Sequence, residues 1–155
     1  MQIILVKAAT DDAEDILAMQ KIAFASLLEK YKDYETNPAA ESLDKFKARL
    51  QSKNIHTYFI ESGDNRVGLI RLAVDTDVIN LKQILILPCF QKKGYAREAL
   101  LQAERLYPEA RRWQLDTILQ EERLCRLYSN AGYVPTGKIE KINENMSLIY
   151  FSKQL

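Results

Sequence analysis

The sequence predicts one α/β domain of the α+β kind, with six to seven strands flanked by about four helices, over residues 1–155. Two observations carry this. Segments of strand period and helix period alternate along the whole chain, with no linker, repeat or low-complexity tract between them. The composition is that of an ordinary packed domain: 47% apolar, 28% charged, five Gly and four Pro in 155 residues.

Each element has its own signal. Residues 3–6 form a short apolar run, the first strand. Asp11 and Glu14 have the spacing of a helix cap box, and Ile16, Ala23, Phe24, Leu27 and Tyr31 follow at helical spacing. Asn37-Pro38 reads as the cap and first turn of a second helix, whose core face is Leu43, Phe46 and Leu50. Strands over 55–61 and 66–74 flank the turn 62–65. Residues 75–77 turn the chain again, into a long strand over 78–87. Its near-continuous apolar end, Ile84-Leu85-Ile86-Leu87, suits burial on both faces, and Pro88 stops it. A helix to about Tyr107 carries the stripe Ala96, Ala99, Leu100, Ala103, Leu106, and Pro108 ends it. A strand over 113–118, a helix through Leu124, Leu127, Tyr128 and Ala131 closed by Gly132, and strands over 133–138 and 146–152 complete the chain.

Charge and composition exclude several functions. With 22 Lys+Arg against 21 Asp+Glu, the net charge of +1 gives no global field for nucleic acid or anionic lipid. The two cysteines, Cys89 and Cys125, are far apart and the one histidine is His56, so no zinc ribbon, dithiol motif or multi-His metal site can be built. Two free thiols and no basic-then-apolar leader in residues 1–9 give the expectation of a reducing cytoplasm. No apolar run approaches the ~20 residues of a membrane span.

The chemistry concentrates after the buried strand. Cys89-Phe90-Gln91-Lys92-Lys93-Gly94-Tyr95-Ala96-Arg97 is a short basic turn that opens a helix. The first N–H groups of a helix have no intrahelical partner and sit at the positive end of its dipole. Lys92, Lys93 and Arg97 reinforce such an anion site, and Gly94 and Ala96 allow backbone to approach a phosphate closely. A connection with solvated lysines is the alternative. Neither a Walker loop nor a dinucleotide fingerprint is present.

Gln91-x-x-Gly94-x-Ala96, following Ile86-Leu87-Pro88, resembles the pyrophosphate-binding motif of the GCN5-related N-acetyltransferase (GNAT) superfamily. Residues 126–133, Arg-Leu-Tyr-Ser-Asn-Ala-Gly-Tyr, are similar to the late helix of that family, and the element order matches over essentially the whole chain. The resemblance implies a mixed, mostly antiparallel sheet splayed between the strands at 78–87 and 113–118. It implies that acetyl-CoA is bound by the backbone of Gln91, Lys92, Lys93, Gly94, Tyr95, Ala96 and Arg97 at its pyrophosphate, and of Ile84, Leu85 and Ile86 along its pantetheine arm. Glu121 stands where many relatives have an Asn against that arm. Tyr128 matches the tyrosine that acts as general acid on the leaving thiolate; a packed tyrosine with a bonded hydroxyl is the alternative. Asp116 is a candidate proton relay or a polar strand residue.

The loop after the first long helix puts Tyr31, Asp33, Tyr34 and Glu35 near an acceptor site, where acids and phenols suit a cationic amine; a solvated turn is the alternative. His56, Cys89 and Cys125 read as structural. The expected activity is direct acetyl transfer to a primary amine of a small molecule or protein by a monomer or homodimer, with no metal, nucleic acid or membrane involved. The competing expectation is a non-catalytic acyl-CoA-binding or regulatory module on the same fold.

Overall fold

A computed structural model gives the fold and describes residues 2–155. Alternating apolar residues build three consecutive antiparallel strands: β2 (Ile55–Ser62), β3 (Asn65–Asp75) and β4 (Val78–Ile86). Gly63, with φ +59°, makes the tight first turn, because a residue without a Cβ adopts the left-handed region freely. β1 (Ile4–Lys7) joins β2 at one edge of the sheet. β5 (Arg112–Ile118) lies parallel to β4, and β7 (Met146–Gln154) and β6 (Val134–Asn143) follow antiparallel. The seven strands run in the order β1-β2-β3-β4-β5-β7-β6.

Among the described residues, four α-helices cover the sheet. α1 (Ala13–Tyr31) and α2 (Leu43–Gln51) lie on one face, where Ile16, Met19 and Phe46 pack on Phe59, Leu69 and Leu85. α3 (Tyr95–Leu106) and α4 (Glu122–Asn130) lie on the other, where Leu100, Ala103 and Tyr128 pack on Ile70, Leu72, Trp113 and Phe151. A third cluster, Tyr31, Ile118 and Met146, joins the end of α1 to the far half of the sheet. No helix among the described residues is long and apolar enough to cross a membrane.

The expected strand at 78–87 is buried on both faces, by a device the apolar run did not reveal. Arg71 pairs with Gln83 but Leu72 pairs with Leu81, so Lys82 is an extra residue in β4. The bulge reverses the alternation. Ile79 and Leu81 before it, and Ile84 and Ile86 after it, all join the core under α3 and α4. Leu85 is left to the opposite core, and Gln83 shares its side of the strand.

Two caps differ from expectation. Asp11 and Glu14 form no cap box. A 3₁₀ turn, Thr10–Asp12, precedes α1, and the Asp12 carboxylate accepts from Ala9 N–H at 2.8 Å. Asn37 caps only a 3₁₀ turn, Pro38–Ala40, accepting from Ala39 N–H at 2.8 Å. The helix stops there because Glu41 is extended, with φ −70° and ψ 139°, and its carboxylate is held by Arg49 at 2.6 Å. α2 then starts afresh on Ser42, whose hydroxyl accepts from Lys45 N–H. Gly132 closes α4 as expected, at φ +98°.

Candidate active site

Among the described residues one strand pair is parallel, and the sheet comes apart there. β4 and β5 are paired from Val78↔Arg112 to Leu81↔Leu115 and no further. Beyond Leu81 the side of β4 that faces β5 has lost its neighbour, and so has β5 beyond Leu115. An extended chain carrying amides can add to such an edge through main-chain hydrogen bonds. A cleft of about 940 Å³ opens at this split, lined by α1, residues 82–86, the turn before α3, residues 116–118 and α4.

At one end of the cleft lies the start of α3. Its cap position is Gly94, at φ +87°, and no side chain caps the first turn. Lys92 also adopts the left-handed region, at φ +64°. Alternation of left- and right-handed residues turns successive N–H groups into one concavity, and the helix dipole adds positive potential. Lys92, Gly94, Tyr95, Ala96 and Arg97 line the cleft; Lys93 does not. Gln91 fixes the turn to the strand: its Nε2 donates to Ile86 O at 2.9 Å, and its Oε1 accepts from Arg123 Nη2 at 3.4 Å. Arg123, unremarked in the sequence, joins Lys92 and Arg97 as a cation lining this end.

Tyr128 and Asp116 stand on opposite faces of the split and both line the cleft. The Tyr128 ring packs edge-on against Tyr133 at 6.1 Å and against Phe151 at 6.3 Å. Its hydroxyl makes no hydrogen bond to a described residue. Burial, with the Asp116 and Cys125 charges adding, pushes the phenol well above its usual value, so it keeps its proton. Asp116 is exposed. The surrounding walls still desolvate it enough to raise its carboxyl; Lys82 opposes this, Glu140 adds to it and Lys138 opposes it.

Glu121 also lines the cleft, at the start of α4, but its carboxylate is engaged. Oε2 accepts from Tyr31 Oη at 2.5 Å and from Lys30 Nζ at 2.7 Å. Burial pushes this carboxyl up, but the hydrogen bonds from Lys30 and Tyr31 outweigh it and hold it below its ordinary value. Of the four residues expected near the acceptor site, Asp33 lines the cleft and Tyr31, Tyr34 and Glu35 do not. Tyr31 is buried with its hydroxyl on Glu121. Tyr34, 65% exposed, and Glu35 point to solvent. Asp33 is joined in the cleft by its neighbour Thr36, the two bonded through the Asp33 carboxylate and the Thr36 amide and hydroxyl. A loop turns too sharply for sequence position to tell which of its side chains point inward.

Sequence reasoning passed over Gln83, which lines the cleft from the floor of the split. Its polarity did not single it out, because Asn80 and Lys82 lie in the same strand. No group of three or more His, Cys, Asp or Glu among the described residues is placed to hold a metal.

A mixed sheet parted at a single parallel pair, with an uncapped basic helix start beside the opening, is the architecture of the N-acetyltransferases. The profile of the Acetyltransferase (GNAT) family matches residues 16–133, and the chain belongs to that family. Solved structures of the same fold include the spermidine N-acetyltransferase of Vibrio cholerae in complex with CoA and spermine, at TM-score 0.78 and 20% identity over 99% of this chain and 95% of that one. The ribosomal-protein-S18-alanine N-acetyltransferase of Escherichia coli superposes at TM-score 0.77 and 14% identity, covering 99% and 94%. An acetyltransferase of Thermus thermophilus gives TM-score 0.77 and 14% identity over 100% and 98%. No curated protein matches the sequence.

Proposed function

We propose that this protein transfers an acetyl group from acetyl-CoA directly to a primary amine. The observation that carries the reading is the opening between β4 and β5 beside the uncapped start of α3. The residues there fit the coenzyme. N–H groups of Gly94, Tyr95, Ala96 and Arg97, with the side chains of Lys92, Arg97 and Arg123, suit a pyrophosphate. The unpaired edge of Ile84, Leu85 and Ile86 suits the amides of the pantetheine arm. The coenzyme supplies an acetyl group activated as a thioester, and the rest is done by this chain.

The amine nitrogen forms a bond to the acetyl carbon, and the bond from that carbon to sulfur breaks. Negative charge that develops on the carbonyl oxygen meets backbone N–H groups of the β4 edge. The Tyr128 phenol, still protonated, donates its proton to the departing thiolate. Asp116, with a carboxyl raised by burial, takes the proton that the amine must lose. Glu121 holds α4 to α1 through Lys30 and Tyr31 rather than touching the coenzyme.

Calorimetry with coenzyme A and a panel of primary amines with acetyl-CoA, read by thiol release, test the reading together. The expected result is coenzyme A binding in the micromolar range and thiol release above the hydrolysis blank for at least one amine. A folded sample that does not bind millimolar coenzyme A refutes the whole proposal. Binding without release for any amine leaves the non-catalytic module standing in its place.

A further inference from the structure

Three polar residues lie side by side on the sheet face covered by α1 and α2. Thr57 of β2 pairs with Arg71 of β3, and Arg71 pairs with Gln83 of β4. They are 3%, 4% and 6% exposed. The row is short of hydrogen bonds. Thr57 Oγ1, Arg71 Nε and both amide atoms of Gln83 have no partner among the described residues. Arg71 Nη1 reaches Gln20 Oε1 at 3.2 Å.

The row is also short of negative charge. Glu41, the acid whose charge acts on Arg71, is paired with Arg49 at 2.6 Å. No carboxylate lies within 4.0 Å of Arg71 among the described residues. Burial, and then the Arg49 charge, lowers the Arg71 guanidinium to about 10, so it stays cationic at neutral pH. Burying an unpartnered amide is costly, and burying an unpaired charge is costlier still. This seam therefore fits an anion it does not itself contain.

Its position gives the anion a source. Gln83 lines the cleft two residues beyond Leu81, the last residue of β4 paired to β5. Asp116 lines it one residue beyond Leu115, on the other side of the split. Gln83, a buried residue without a partner that pairs in register with Arg71, and the carboxylate-bearing Asp116 thus line the two strands of the split. We propose that Gln83, backed by the Arg71 charge, determines acceptor specificity by holding a carboxylate of the acceptor, whose amine lies toward Asp116. The acceptor class is a small amino acid carrying both groups on one compact skeleton. This rests on the acetyltransferase reading and deepens it. A diamine of similar length is disfavoured, because its second cation meets the Arg71 field.

The test compares acceptors matched in shape: L-leucine with L-leucinamide and 3-methylbutylamine, L-lysine with 1,5-diaminopentane, and glycine with glycinamide. Thiol release is read with the wild-type protein and with Gln83→Met, which keeps volume and removes the amide. The carboxylated member of at least one pair is expected to exceed its partner in kcat/KM by about tenfold. Gln83→Met is expected to bring that ratio near one, mainly through KM, while coenzyme A affinity stays within twofold. Ratios near one in the wild type, or a preference for the uncharged or dicationic partner, overturn the inference and leave the acetyltransferase reading intact. If no amine is turned over, the coenzyme-A-loaded protein is titrated with N-acetylglycine and N-acetylglycinamide. Tighter binding of the carboxylate, lost in Gln83→Met, upholds the site. Equal binding, or none of either, overturns it. Arg71→Met is the second variant, read by the same ratio once its melting confirms that it folds.

Discussion

Gly68→Ala tests how closely β3 and β4 must approach where the sheet splits. Gly68 pairs with Ile86. A Cβ on Gly68 lies 2.1 Å from Leu85 O, 3.0 Å from Ile86 Cδ1 and 3.2 Å from Ile86 Cα. Ordinary contact begins at 3.4 Å, so the Leu85 carbonyl must retreat by more than 1 Å. The nearest obstacle is backbone, and no rotamer change relieves it. Overpacking of this kind costs about 1–3 kcal/mol. At about 2–4 °C per kcal/mol for a chain of this size, the melting temperature falls by about 2–12 °C. The displaced atoms belong to Leu85 and Ile86, on the edge proposed to hold the pantetheine arm. Coenzyme A affinity is therefore expected to fall several-fold at a temperature where the variant is fully folded. The assay is thermal melting by circular dichroism followed by calorimetry with coenzyme A. Gly63→Ala is the control: it has a strained φ of +59° but nothing within 4 Å of its Cβ. It is expected to lose stability and keep its coenzyme affinity. If Gly68→Ala melts within 1 °C of wild type, or binds coenzyme A unchanged, the close-approach argument is wrong.

Three further outcomes are expected. Tyr128→Phe keeps the ring packing and removes the proton, so turnover falls by about 10²-fold with coenzyme affinity within twofold; an unchanged rate removes Tyr128 from the reaction. Asp116 has a folded-state value raised by burial, so its ionisation costs stability as pH rises through the window above its ordinary value. Asp116→Asn is therefore expected to melt higher than wild type at neutral pH, with the gain vanishing in acid, and to transfer acetyl more slowly; melting curves across pH read the first and thiol release the second. Glu121 has a folded-state value held below ordinary, so its contribution is present above the usual carboxylate range and is lost as pH falls through the lowered one. Glu121→Gln is expected to cost about 1 kcal/mol at neutral pH, and urea titrations at neutral and acidic pH should show that cost shrinking with acidity.

The period of the apolar residues made the element order legible, because burial on a face imposes that period directly. The Gln91–Arg97 turn was legible because few sequences place a basic, Gly-containing turn between a buried strand and a helix. The inward side chains of the acceptor face were not. Lys82 is an extra residue in β4, and a bulge has no sequence period, so the facing of Gln83 could not be read. The inward-pointing hydroxyl of Tyr31 is taken by Glu121, ninety positions away, which accepts from it. Contacts at that separation are set by packing of whole elements, not by local propensity.

β6 forms one border of the sheet and is solvent-exposed from Val134 to Lys141. A long bare border of this kind invites recruitment of foreign strands and, at high concentration, aggregation. This one carries its own deterrents. Pro135 offers no N–H, pairing skips from Pro135 to Ile139, and Gly137 sits at φ +97°. Lys138, Glu140 and Lys141 then place alternating charges along the remainder. The border is interrupted between Pro135 and Ile139 and charged beyond, so it offers a poor template to an incoming strand although nothing covers that flank.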